Sequence, residues 1–193
     1  MREDNVCKGV LVPGMPHPLL CPEKNEGWQR VRDAYEQARK EIEATDAEQI
    51  IVYSTFWPSI LGHQIQAFPE PEWTHVDDEF HDLGSIPYKF RMDPEFAEIA
   101  VRKCEERGLH ARTVSYYGFP IDTGSIVALK LLNPKNRLPA IIASSNMYAN
   151  RAETIVLGKS LRDAIDESGK KTAIIIVSAL SNRLHTVSIS PSE

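Results

Sequence analysis

Thr172-Ala173-Ile174-Ile175-Ile176-Val177-Ser178 is apolar at every position between its two hydroxyl residues. A half-exposed strand would alternate polar and apolar residues, so this run reads as a central strand with helices on each face. Four earlier runs have the same short, Val- and Ile-rich character: Val6–Val12, Gln49–Ser54, Ala111–Ser115 and Ala140–Ser144. Helical patterns separate them. Trp28, Val31, Tyr35, Ala38 and Ile42 recur at steps of three and four and make one buried stripe. Asp93-Pro94 supplies an N-cap and a first-turn proline for a helix over 96–107, with Gly108 placed to close it. A third helix is predicted over 148–168, closed by Gly169, and a short one after Ile121-Asp122. This alternation predicts an α/β fold, a largely parallel (mixed) central sheet flanked by helices in three layers. The stretch 58–92, with Pro58, Pro69, Pro71 and Pro87, carries no long helical period. It reads as an irregular excursion with one strand near Trp73–Val76.

The chain's 193 residues suit a single domain over 1–193. An apolar share of 42% and a charged share of 25% exclude wholesale disorder and fibrous classes. Acidic residues outnumber basic ones, 27 to 22, and the basic ones are scattered, which argues against a nucleic-acid groove or an anionic membrane surface as partner. No apolar window is long enough to span a bilayer, and the polar start Met1-Arg2-Glu3-Asp4-Asn5 is unlike a secretory leader. Cys7, Cys21 and Cys104 form no C-x-x-C pair, so a reduced, cytoplasmic location is expected.

In parallel sheets ligands gather at the carboxyl ends of the strands. After the first strand comes Pro13-Gly14-Met15-Pro16-His17-Pro18, where prolines on both sides fix the backbone of His17. The plain alternative is a rigid loop whose histidine binds nothing. Ser54-Thr55-Phe56-Trp57 ends the second strand, Asp122-Thr123-Gly124-Ser125 opens the short helix, and Ser178-Ala179-Leu180-Ser181-Asn182-Arg183 follows the last strand. His75 and His81, with Asp77, Asp78 and Glu79 between them, read as a solvated loop face.

These four strand-end motifs, in this order, resemble those of the LigB-type class III extradiol ring-cleavage dioxygenases, which open aromatic rings with non-haem iron(II) and O2. Pro16-His17-Pro18-Leu19-Leu20 matches the family's P-H-P loop. Ser54-Thr55-Phe56-Trp57 stands for its S-x-H-W/G motif, Asp122-Thr123-Gly124 for D-H-G, and 178–183 for S-x-L-S-H-R. The resemblance implies that His17 keeps the first ligand position. The second is Phe56, which has no lone pair; the D-H-G histidine is Thr123; the basic histidine of the last motif is Asn182, whose amide does not titrate near neutrality. The family's ligating glutamate lies beyond residue 193, so the chain lacks the family's C-terminal portion and should expose an apolar edge there. His63 and His185 are the stand-ins nearest the emptied positions.

Some family members pair an iron-bearing subunit with a homologous subunit that has lost the metal. The substitutions here resemble the iron-free α role in such an enzyme acting on 2-aminophenol. That resemblance implies no catalytic residue, no metal and no cofactor in this chain, Fe(II) in a partner β subunit, and an α2β2 assembly. The alternative is a stand-alone, metal-free module that binds a small aromatic or regulatory ligand among Phe56, Trp57, Tyr116 and Tyr117. A third reading, an active dioxygenase with unorthodox ligands, has Phe56 against it.

Overall fold

The computed structural model describes residues 4–179. Strand β1 (Val6–Val12) leads through a one-turn helix α1 (His17–Leu20) to the long helix α2 (Glu26–Glu43) and strand β2 (Gln49–Ser59). Short strands β3 (His63–Gln66), β4 (Glu72–Val76) and β5 (Ser85–Lys89) follow, then α3 (Pro94–Glu106), β6 (Ala111–Val114) and α4 (Thr123–Leu132). β7 (Ala140–Asn146), α5 (Arg151–Ser168) and β8 (Thr172–Val177) complete the described chain. The main sheet has the order β1-β8-β2-β7-β3-β6. Its first four strands run parallel, β3 is antiparallel to β7, and β6 is parallel to β3. The sheet is therefore mixed, as expected from the alternation.

Two cores sandwich it. On one face Tyr35 and Ile42 of α2 and Ile126 and Leu129 of α4 meet Val52, Ile142 and Ile175. On the other, Phe96 and Ala100 of α3 and Leu157 and Ile165 of α5 meet Ile51, Ile65 and Ile141. Each such fully buried aliphatic or aromatic side chain contributes about 1.5–3 kcal/mol. The helices start where side chains can take up free backbone N–H groups. Asn25 accepts from the Gly27 amide at 2.7 Å, and Asp93 from Phe96 at 3.0 Å. Asn150 and Glu153 form a reciprocal capping box, so α5 starts at Arg151 rather than at 148.

The stretch 58–92 is more regular than its prolines suggest. β3 enters the main sheet after a turn at Gly62, whose φ of +80° and approach to the His110 carbonyl (2.3 Å from a built Cβ) admit only glycine. β4 and β5 form a separate antiparallel hairpin that seats Ile86 and Tyr88 in the α2/α4 core. β8 also differs from the expectation of a strand covered on both faces. It lies second from the edge: Ala173, Ile175 and Val177 are buried against α2 and α4, whereas Ile176 on the opposite face is 40% exposed. Among the described residues, no helix is long and apolar enough to cross a membrane.

Candidate functional site

A cleft of about 400 Å³ lies at the carboxyl ends of the parallel strands, between the loop after β1, the end of β2 and the start of α4. The loop after β1 is tied to α2 by the Tyr35 hydroxyl, which donates to the Pro13 carbonyl. In β2 the register against β7 slips between Ser54 and Pro58. This bulge frees residues 55–57 from the ladder, and Phe56 and Trp57 both line the cleft. Ser54 joins strand and turn. Its hydroxyl donates to Asp122 Oδ1 at 2.8 Å and accepts from the Phe56 amide at 3.2 Å. Asp122 Oδ1 also caps α4 by accepting from the Ser125 amide at 2.9 Å. Burial pushes the Asp122 carboxyl up, against hydrogen bonds from Ser125 and Ser54 that pull it down.

The ring of Phe56, the residue expected at the family's second histidine position, is packed in. A Cβ on Gly14 would stand 2.5 Å from Phe56 Cε2; one on Gly124 would stand 2.8 Å from Val177 Cγ1 and 2.9 Å from Phe56 Cγ. Both glycines leave the room that the phenyl ring fills. His17 is buried, its imidazole stacked on Trp28 at 4.5 Å and met edge-on by Phe80 at 4.6 Å. Its Nδ1 has no hydrogen-bond partner among the described residues. Burial pushes its pKa down, partly offset by the charges of Asp77, Asp82 and Glu79. His17 thus serves as a ring in an aromatic stack.

Thr123 is buried in the turn. Its hydroxyl donates to Asp77 Oδ2 and lies 2.7 Å from His75 Nε2. Asp77 Oδ1 accepts from the amides of Phe80 at 2.9 Å and Glu79 at 3.0 Å, a tight turn that carries Phe80 onto His17. The segment read as a solvated loop face is therefore a wall of the cleft: His75, Asp77, Asp78, Glu79 and Phe80 all line it. A lone Phe80 inside a charged run was the sequence signal for this. His81 is exposed in a 3-10 turn (His81–Leu83) and takes no part.

Tyr116 and Tyr117, expected in the pocket, stand 70% and 63% exposed. Tyr117 rests edge-on against Phe68, 5.8 Å away. The reason is a turn closed by the Phe119 amide on the Tyr116 carbonyl. It brings Phe119, not the tyrosines, to the cleft, 5.6 Å from Trp57. His63 is buried in β3 and does not line the cleft. Asn182 and His185 lie outside the described residues.

These residues do not fit a facial triad of two imidazoles and a carboxylate. Phe56 offers a phenyl ring and no donor atom, and His17 is packed against Trp28 and Phe80. Among the described residues no group of three or more His, Cys, Asp or Glu side chains is placed to hold a metal ion. What the geometry offers instead is a cleft with four aromatic walls (Phe56, Trp57, Phe80, Phe119) and a hydrogen-bonded His75–Thr123–Asp77 chain on one side.

Comparison with known proteins agrees with this architecture. The chain is 33% identical over 189 residues to a 2-aminophenol 1,6-dioxygenase alpha subunit from a Pseudomonas species, covering 97% of this chain and 69% of that one. It is 28% identical over 196 residues to a beta subunit of the same description, also from a Pseudomonas species, covering 94% of this chain and 64% of that one. An uncharacterized protein from Escherichia coli K12, JW3007, shares the fold, with a TM-score of 0.54 at 16% identity over 75% of this chain and 50% of its own. Residues 12–189 match the family described as the catalytic LigB subunit of aromatic ring-opening dioxygenase. The chain belongs to the LigB family.

Proposed function

We propose that this chain is the non-catalytic α subunit of a heteromeric extradiol dioxygenase acting on 2-aminophenol. In this reading it supports the assembly and stability of a homologous β subunit that holds Fe(II), as a cytoplasmic α2β2 complex. The observation that carries the proposal is the Phe56 ring seated against Gly14 and Gly124 where a ligand would be needed. Likeness to both an alpha and a beta subunit supports descent from a duplicated subunit. Losing ligands frees the site from constraint but leaves the association surface under selection. Ile60, Leu61, Met147 and Tyr148, exposed by 55–78%, come together where Ser59 pairs with Asn146. An exposed cluster of large apolar residues suits a subunit contact.

The test is expression of the chain alone and with an iron-bearing homologue, followed by metal analysis and a 2-aminophenol ring-opening assay. The chain alone should carry no stoichiometric iron and open no ring, and it should co-purify with the homologue. One equivalent of iron and turnover by the chain alone would overturn the proposal. The aromatic walls of the cleft favour a second reading, a metal-free binding module for a small aromatic. In that case a lone monomer or homodimer would gain thermal stability from such a ligand and ignore the homologue.

A further inference from the structure

Helix α2 carries Arg32 and Arg39 two turns apart, on the side of the helix that also presents Tyr35 and Glu36. Lys130 and Leu131, near the end of α4, and Pro134 just beyond it close a recess of about 80 Å³ against them, more room than a single water needs. Cationic side chains from two helices thus converge in a chain whose formal charge is −5. The carboxylate in the recess, Glu36, is half exposed and divides itself between Arg39 Nη2 at 3.5 Å and Lys40 Nζ at 3.4 Å, both long for ion pairs. Arg32 and Lys130 give their hydrogen bonds to backbone carbonyls rather than to carboxylates: Arg32 to Pro18 at 3.2 Å and Lys130 to Pro87 at 2.7 Å. Arg39 Nε is buried and has no hydrogen-bond partner among the described residues.

We infer that this recess binds a phosphate-type oxyanion, free or as the end of a small monoester, between Arg32, Arg39 and Lys130. Like charges brought together repel, the more so where packing keeps water away, and a buried donor left unpaired is costly. One dianion offsets both. Its oxygens accept from Arg39 Nε–H and from the N–H groups that Arg32 and Lys130 have left after each serves one carbonyl. Guanidinium groups suit this role because their planar fork matches the oxygens of a phosphate. The recess is far smaller than the roughly 300–1,000 Å³ of an organic-ligand pocket, so what enters it is an ion or the charged end of a larger molecule. Chloride offers a single charge and no fixed set of acceptor atoms. The site would lie behind the loop that carries His17, since Tyr35 and Arg32 hold the Pro13 and Pro18 carbonyls of that loop. The inference does not depend on the α-subunit reading: Arg32, Arg39 and Lys130 line no part of the aromatic cleft, and the test needs no partner.

Titration of the full chain with inorganic phosphate at fixed ionic strength, followed by the Nε–Hε signal of Arg39 in heteronuclear NMR, tests it. The signal should shift and saturate with phosphate and stay in place with chloride. Glycerol 3-phosphate is titrated in parallel: saturation by both fits a monoester end, and saturation by phosphate alone fits the free ion. Saturation by neither overturns the inference, and so does an equal shift with chloride. Lys130→Met should weaken phosphate binding about tenfold or more, as the loss of a charge-assisted contact does. Arg30→Gln, which alters an exposed arginine of the same helix paired with Glu26, should leave binding unchanged. Equal weakening by the two variants would reduce the effect to general surface attraction and refute the site. Glu36→Gln gives an answer even if Lys130→Met fails to fold. Removing the competing carboxylate should tighten phosphate binding severalfold, and unchanged or weaker binding would place the anion elsewhere.

Discussion

The phenyl ring of Phe56 and the backbone of Gly14 approach so closely that a Cβ on Gly14 would lie 2.5 Å from Cε2 and 2.8 Å from Cζ. Real Cβ atoms do not tolerate such contacts, and Gly124 is packed against the same ring, 2.9 Å from Cγ to a built Cβ. The ring and the two glycines are thus one packing unit. This is why a donor side chain cannot simply be imagined at position 56 with the rest unchanged.

Gly14→Ala should therefore destabilise the chain by about 1–3 kcal/mol, the usual cost of overpacking. Truncating the ring with Phe56→Ala should relieve most of that cost. In a urea-unfolding double-mutant cycle the two changes should be coupled by about 1 kcal/mol or more. Simple additivity would show that Gly14 is not packed against this ring.

Phe56→His restores an imidazole but not a triad, because His17 stays between Trp28 and Phe80. The variant should bind no stoichiometric iron(II), and metal analysis after anaerobic loading checks this. Tight binding of one equivalent would mean that residues outside 4–179 complete the ligand set.

Thr123 is the hinge pin between the turn at the head of α4 and the loop after β4, through Asp77 and His75. Thr123→Val keeps the shape and removes both hydrogen bonds. The expected loss is roughly 1–3 kcal/mol, since a buried partner is left unpaired. The more telling readout is hydrogen exchange: amides of Glu79 and Phe80 should exchange faster while those of β2 and β7 keep their protection. Unchanged exchange in 77–80 would assign the loop's order to its own turn alone.

The four longest strands, β1, β2, β7 and β8, were legible because a Val- and Ile-rich run survives as a signal whatever surrounds it. β3 was not. His63-Gln64-Ile65-Gln66 has one apolar residue, and its burial includes polar side chains that a strand pattern does not announce: Gln66 accepts from the Phe68 amide at 2.9 Å, and both ring nitrogens of buried His63 are without a hydrogen-bond partner among the described residues. β5 alternates cleanly, with Ile86 and Tyr88 buried between exposed neighbours. Pro87 hid it, yet in a two-stranded hairpin a proline can sit on the unpaired edge. At the site, the motifs after β2 and at the head of α4 marked residues that line the cleft. The edge-on contact of Phe80 with His17 was invisible, because it depends on a turn that Asp77 closes far along the chain. Tyr116 and Tyr117 misled for the converse reason: aromatic type says nothing about which way a turn faces them.

The stack around His17 also fixes the sign of a pH dependence. Burial lowers the folded-state pKa of His17 against the pull of Asp77, Asp82 and Glu79, and burial lowers that of His63 in the same direction. Below the ordinary imidazole value of about 6.5 the unfolded chain takes up a proton that the folded chain refuses, so stability falls as the solution is acidified. Above that value both states are neutral and this contribution is constant. Asp122 works the other way, since its raised pKa makes the folded state the better proton acceptor in the carboxylate range. A comparison of variants therefore separates the histidine. His17→Phe keeps a ring for Trp28 and Phe80 and removes the titrating group. Its unfolding free energy, measured by urea titration at a series of pH values, should decline less steeply on acidification from neutrality than that of the unmodified chain. Parallel declines would place the proton uptake on His63 or on another group, and leave His17 with no share in it.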